Sequence, residues 1–290
     1  MRFPACVLAL LAFLALLASI PAAQGNVRAF VDRDGVLAVQ GDDRDNAVFV
    51  GRTGENGEFR VEGEGGTTVN GMESVVLVAD SVRVLLRGGD DRVQVDGNIP
   101  GDVFVDGGKG DDRLVFGDPA IEGSALIDGG TGDDTFSIED TLVAQGLRLR
   151  GGPGEDSFGL HFDSIFERLV IDGGPGNDVV DTFELDLHGS LRMDADSGAD
   201  ECRLDSTTVS ERVVLVLDQG EDVVAIDDCT IAGSLKVAMG SRDDELSLAD
   251  SDLQGEVELH GGPGHDSYTD GGGNTFADGP PLVKSFESAP

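Results

Sequence analysis

Residues 107–112 read GGKGDD, 129–134 read GGTGDD, 151–156 read GGPGED and 173–178 read GGPGND. The four hexapeptides share the pattern Gly-Gly-x-Gly-x-Asp and begin 22 residues apart. A constant interval is the mark of a repeat architecture, provided that it extends beyond the glycines themselves. The final residue of the pattern carries it in both directions. Asp91, Asp112, Asp134, Asp156, Asp178, Asp200, Asp222, Asp244 and Asp266 follow one another at 21 and then at 22 residues. A fifth complete hexapeptide, GGPGHD, occupies 261–266. The segments 195–200 (ADSGAD), 217–222 (LDQGED) and 239–244 (MGSRDD) keep the Asp but lose the leading glycine pair.

Apolar residues keep the same register, which separates a structural repeat from a decorative one. Two and four residues after the Asp stand pairs such as Leu114 and Phe116, Phe136 and Ile138, and Leu246 and Leu248. Nine residues after it come Ile121, Val143, Ile165, Leu187, Val209, Ile231 and Leu253. Thirteen and fifteen after it come Leu147 and Leu149, Leu169 and Ile171, and Leu235 and Val237. Alternation at i, i+2 belongs to a strand with one buried face. Each coil therefore reads as a strand, a corner, one inward aliphatic residue, a second strand and a Gly-rich turn. A single coil has no core of its own, so coils must stack to bury their aliphatic ladders.

The expected fold is all-β: a right-handed parallel β-helix, or β-solenoid, of about nine 22-residue coils with an N-terminal β cap. The handedness comes from the general rule for parallel crossovers. At about 4.8 Å per coil, the rod is roughly 43 Å long. Four segments follow. Residues 1–23, with Arg2, an apolar run from Ala5 to Ile20 and the small residues Pro21, Ala22 and Ala23, read as a signal peptide. Residues 24–68 read as the hairpin-like cap, 69–270 as the solenoid and 271–290 as a closing turn and tail. An N-terminal signal implies export, to the cell surface or the medium.

Composition narrows the partners. The formal charge is −36, from 56 acidic and 20 basic residues. Nucleic acid and anionic lipid would be repelled, and cations are the natural ligands. No segment reaches the roughly 20 apolar residues of a membrane span. Of the three cysteines, Cys202 and Cys229 remain after processing, at different coil positions and outside any metal motif. His161, His188, His260 and His265 share no repeat position, and no Gly-x-Ser-x-Gly, His-Glu-x-x-His or Cys-His arrangement appears. The constant interval also leaves no insertions to wall an active-site groove, so the expectation is a protein without catalysis.

The turns carry the candidate chemistry. Glycines permit positive φ and aim carbonyl oxygens into the turn, while Asp supplies a carboxylate; an all-oxygen set of this kind suits Ca²⁺. Carboxylates stacked about 4.8 Å apart repel by roughly 0.9 kcal/mol even at the dielectric of water, and a divalent cation reverses the sign. A second acidic row, Asp118, Asp140, Glu184, Asp228 and Asp250, lies six residues after the main one without a glycine turn and reads as solvated corners.

The turns resemble the hemolysin-type, or repeats-in-toxin, calcium-binding repeat, whose unit is Gly-Gly-x-Gly-x-Asp-x-aliphatic. The resemblance covers roughly residues 86–276. It implies Ca²⁺ held between coils by Asp112, Asp134, Asp156, Asp178 and Asp266, with the turn glycines Gly108, Gly110, Gly130, Gly132, Gly152, Gly154, Gly174 and Gly176. It departs from the family in having one glycine turn per coil instead of alternating nine-residue units. Arg242 also places a positive charge in one turn. The functional expectation is an exported calcium-binding module of the surface or matrix. A metal-free structural or adhesive solenoid and a polysaccharide-active β-helix enzyme are the alternatives.

Overall fold

The computed structural model describes residues 25–54 and 57–287; the expected signal peptide lies outside them. The described chain is a β-solenoid of about nine stacked parallel coils. Three sheets run the length of the stack, with 13, 12 and 9 strands among the described residues. In a typical coil, Thr135–Glu139 lies on the second sheet, the two-residue strand Leu142–Val143 on the third and Leu147–Arg150 on the first. Register is kept residue for residue: Phe136 faces Phe158, Val143 faces Ile165 and Leu149 faces Ile171 in the next coil. The 22-residue interval is thus one circuit of three faces.

The reason for the register is burial. Leu114, Phe136, Ile165, Leu169 and Ile171 are at most 1% exposed and belong to one continuous core. Burying a side chain of this size stabilises by about 1.5–3 kcal/mol, and a slip of one residue would turn every one of them to water. Phe136 and Phe158 stack in adjacent coils at 4.5 Å between centroids.

The N-terminal region is more closely joined to the stack than a lid. Its strands are β1 (Asn26–Val31), β2 (Val36–Gln40), β3 (Ala47–Arg52), β4 (Glu58–Gly63), β5 (Thr68–Val69) and β6 (Ser74–Val78). β2 and β3 pair in parallel with β7 (Ser81–Leu85) and β8 (Arg92–Asp96). They are rungs of the solenoid in their own right. The antiparallel pairs β3 with β4, β4 with β6 and β1 with β2 then cover that end. At the opposite end Thr275–Phe276 and Leu282–Lys284, within the expected closing turn and tail, each add a parallel rung.

Candidate metal centre along the aspartate ladder

The repeated Asp stands where the glycine turn re-enters the strand, and its side chain turns inward. Asp91, Asp112, Asp134, Asp156, Asp178, Asp200, Asp222, Asp244 and Asp266 are all between 0 and 3% exposed. One oxygen of each has a defined partner in the coil before it. Asp134 Oδ1 accepts the backbone N–H of Asp112, Asp156 that of Asp134 and Asp178 that of Asp156, each at 2.8 Å. The chain of bonds continues through Asp200, Asp222, Asp244 and Asp266.

Two members of this ladder are invisible to the 22-residue count. Asn46 donates its N–H to Asp91 Oδ1 at 2.6 Å, and Asp266 donates its own to Glu287 Oε2 at 2.6 Å. Asn46 ends the segment GDDRDN (41–46), which matches MGSRDD (239–244) in its Arg and acidic residue, but a 45-residue interval separates it from Asp91. Glu287 stands 21 residues after Asp266, an interval already used between Asp91 and Asp112.

A second ladder runs the other way on the outside. Asp111 donates its N–H to Asp90 Oδ1, Asp133 to Asp111, and Glu155 to Asp133, at 2.9–3.1 Å. Consecutive acidic residues therefore bind consecutive coils in opposite senses.

The other oxygen of the inner carboxylates is the chemically open one. Oδ2 of all nine aspartates is buried with no hydrogen-bond partner. A hydrogen bond to a charged group contributes about 1.5–3 kcal/mol, and an orphaned buried polar atom costs about 1–3 kcal/mol or more. The ladder thus approaches break-even unless Oδ2 is neutralised. Burial is the main reason that the carboxyls of Asp112 and Asp134 are pushed up to about 8, that of Asp178 to about 7 and that of Asp156 to about 6. Backbone N–H bonds oppose the rise, and neighbouring acids add to it for all four. Such groups are waiting for a proton or a cation.

Space beside Oδ2 differs between coils. A Cβ built on Gly107 would collide with Asp112 Oδ2 and lie 2.6 Å from the Gly129 carbonyl oxygen; one on Gly151 would meet Asp156 Oδ2 and the Gly173 carbonyl in the same way. A carboxylate oxygen and a carbonyl of the next coil therefore converge on the point where a side chain would begin. At the same register the other turns carry Leu86, Ala195, Leu217 and Met239, all 0% exposed and part of the core. Those side chains enter the interior where, in the glycine coils, the carboxylate lies against the bare turn.

The turn backbone adds a second asymmetry. Gly108, Gly110, Gly130, Gly132, Gly152, Gly154, Gly174 and Gly176 all have φ between 104° and 154°, beyond the range favoured by residues with a Cβ. Lys109, Gln219 and Ser241 donate their N–H to the Arg87, Asp196 and Asp218 carbonyls of the preceding coil. Pro153, Pro175 and Pro263 stand at that register and have no N–H, so the carbonyls of Gly130, Gly152 and Gly240 lack that donor. Two of these three lie among the consecutive glycine coils.

The donor set fits a hard cation in chemistry: carboxylate and carbonyl oxygens, without nitrogen or sulfur. No group of three or more His, Cys, Asp or Glu side chains among the described residues is placed to hold an ion. Any ion here takes its remaining ligands from backbone carbonyls and water. Asp266 keeps the open glycine, Gly261, facing the Ser285 carbonyl, yet it adjoins the Met239 coil instead of another glycine coil. The second acidic row is exposed, as expected, with Asp118, Asp140, Glu184, Asp228 and Asp250 at φ of 48–58°. Cys202 and Cys229 are buried free thiols, both pushed up to about 12 by burial. No helix among the described residues is long and apolar enough to cross a membrane. Comparison of the chain with protein-family models, curated proteins and solved structures gave no match in any of the three.

Proposed function

We propose that this chain is an exported calcium-binding solenoid, with Ca²⁺ held structurally between successive turns from Asp112 to Asp178, and that it serves as a surface or extracellular binding module. The observation that carries this reading is the coincidence of buried, unpartnered Oδ2 atoms with glycine turns that let Oδ2 and, at Gly107 and Gly151, a carbonyl of the next coil converge on one point. The donor-free carbonyls of Gly130 and Gly152 fall in the same coils. A divalent ion would satisfy oxygens that the protein itself leaves open, and would remove the repulsion along the row. The likeness to hemolysin-type repeats and the leader-like residues 1–23 support export and calcium from the sequence side.

A metal-free structural or adhesive solenoid is the second reading. One observation favours it: Oδ1 of every rung is already used by a backbone N–H, so the ladder joins coils without an ion. In that case protons on Oδ2 take the place of metal. Calcium titration of chelator-treated protein separates the two readings. The calcium reading expects bound ions by metal analysis and a higher thermal midpoint in millimolar Ca²⁺. An identical midpoint in excess chelator and in calcium would leave the metal-free solenoid standing.

A further inference from the structure

One corner of the solenoid breaks its own rule. Six residues after each ladder Asp, the corner residue takes left-handed φ, and from coil to coil it is Asp118, Asp140, Phe162, Glu184, Ser206, Asp228 and Asp250. Acidic and small polar side chains suit an exposed left-handed corner, whereas a bulky ring there is a genuine outlier. Phe162 has φ of 62° and is 49% exposed. Phe162 lies outside the buried core, so core packing does not account for its presence. Strain retained without a packing return points to a ligand contact.

The ring is not alone. Phe183 of the next coil meets Phe162 edge to face, with centroids 5.5 Å apart at 89°. On the far side of Ser164–Ile165, Phe166 is 46% exposed and stacks on His188 at 4.6 Å. The larger core phenylalanines, Phe59, Phe116, Phe136 and Phe158, are by contrast fully buried. Acids surround the patch. Asp140 and Glu184 occupy the same corner in the coils before and after Phe162, Asp181 lies 3.7 Å from His161 and Asp186 lies 3.5 Å from His188.

An exposed aromatic face carries negative potential, and ringing it with carboxylates selects for a cation that also has apolar surface. A bare metal ion gains little from the ring, and a neutral sugar meets the carboxylates only as hydrogen-bond acceptors, without using their charge. Half-exposed Phe162 and Phe166 together offer roughly 200 Å². That is far below the roughly 800 Å² per partner of a stable protein interface. We propose that this corner binds a small, free quaternary ammonium compound, its methylated nitrogen resting on Phe162, with Phe183 orienting the ring and Asp140 and Glu184 supplying the charge.

The test is calorimetric titration of the chain with choline chloride at low ionic strength. Excess chelator keeps the result independent of any calcium site. Choline binding should saturate, and its neutral isostere 3,3-dimethylbutan-1-ol should bind at least fivefold more weakly. Phe162→Leu, which keeps apolar bulk but removes the ring, should weaken choline binding about two- to fivefold, and Phe166→Leu less. Phe162→Asp places at this corner the residue type that its neighbours carry; it should stay folded by circular dichroism and lose ring-dependent binding. Equal binding of choline and the neutral alcohol would overturn the proposal, as would full choline affinity in Phe162→Asp. Preferential binding of glucose or of phosphatidylcholine vesicles would also overturn it, in favour of a sugar platform or a membrane contact.

Discussion

The coils carrying Asp112 to Asp178 and those carrying Asp200 to Asp244 share one inner ladder, with rungs of 2.7–2.9 Å from Asp112 to Asp222. What differs is the residue five places earlier. At Gly107, Gly129, Gly151 and Gly173 the Oδ2 atom lies within 2.4 Å of where a Cβ would stand, whereas Ala195, Leu217 and Met239 fill the core at that register. The turn backbone follows the same division, because left-handed positions held by glycine in the first set fall to Asp196, Asp218 and Arg242 in the second. The comparison teaches that the aspartate and the glycines answer to different demands. Asp joins coil to coil everywhere; the glycine pair marks where its free oxygen lies against the turn backbone.

The largest expected effect tests what the open carboxylates do without metal. Their folded-state pKa lies above the unfolded value of 3.8, so stability is fully present below about pH 4. It is lost progressively as pH rises from there through the folded values of about 6 to 8. A single buried carboxyl raised by about three units, such as Asp178, accounts for about 4 kcal/mol. At about 2–4 °C per kcal/mol for a domain of this size, the midpoint in chelator should fall by about 10 °C or more between pH 5 and pH 8. Millimolar calcium should restore it at pH 8 and do little at pH 5. A midpoint flat with pH in chelator would show that the row carries no such burden.

Next in size is a direct exchange of the two regions. Gly151→Leu puts a side chain against Asp156 and should cost about 1–3 kcal/mol while lowering the calcium count. Leu217→Gly should cost about 2–5 kcal/mol in lost burial, without the strict gain of an ion, since Asp218 and Gln219 still lack the glycine-turn geometry. Denaturant melts with metal analysis read both.

A finer cut separates the ladder bond from the charge. Asp134→Asn keeps an oxygen to accept the Asp112 N–H but loses the anion, so it should lower calcium stoichiometry and, in chelator at pH 5 where the carboxyl is already protonated, change stability by less than about 1 kcal/mol. Asp222→Asn should leave the stoichiometry unchanged. Equal losses of calcium at both positions would erase the distinction between the regions. The smallest expected effect is Arg242→Gly, which relieves a left-handed residue at φ of 96° and should stabilise by about 1 kcal/mol.

The stacking, the coil length and the inward ladders were legible in the sequence because burial imposes a period of two on every strand and a period of 22 on every circuit. The first solenoid rungs in β2 and β3 were not, because the antiparallel β4 and β6 lie between them and the next coil and stretch the interval to 45 residues. The acidic row was legible as a row, but not the direction of its side chains. Spacing shows that carboxylates stack; it does not show that each one turns inward to a neighbour's N–H. Arg242 was read as a misplaced charge, and its backbone conformation gives that reading a second, steric half. Phe162 passed unnoticed because a single ring among acids leaves no mark on a repeat count.

The single direction of the inner ladder gives every coil from Asp91 to Asp266 the same donor and the same acceptor on that row. Only Asn46 and Glu287 are particular, one opening the series and the other closing it. One more 22-residue coil would leave both of these end bonds in place and lengthen the stack by about 4.8 Å. The number of coils thus sets the length in even steps, like the marks of a ruler.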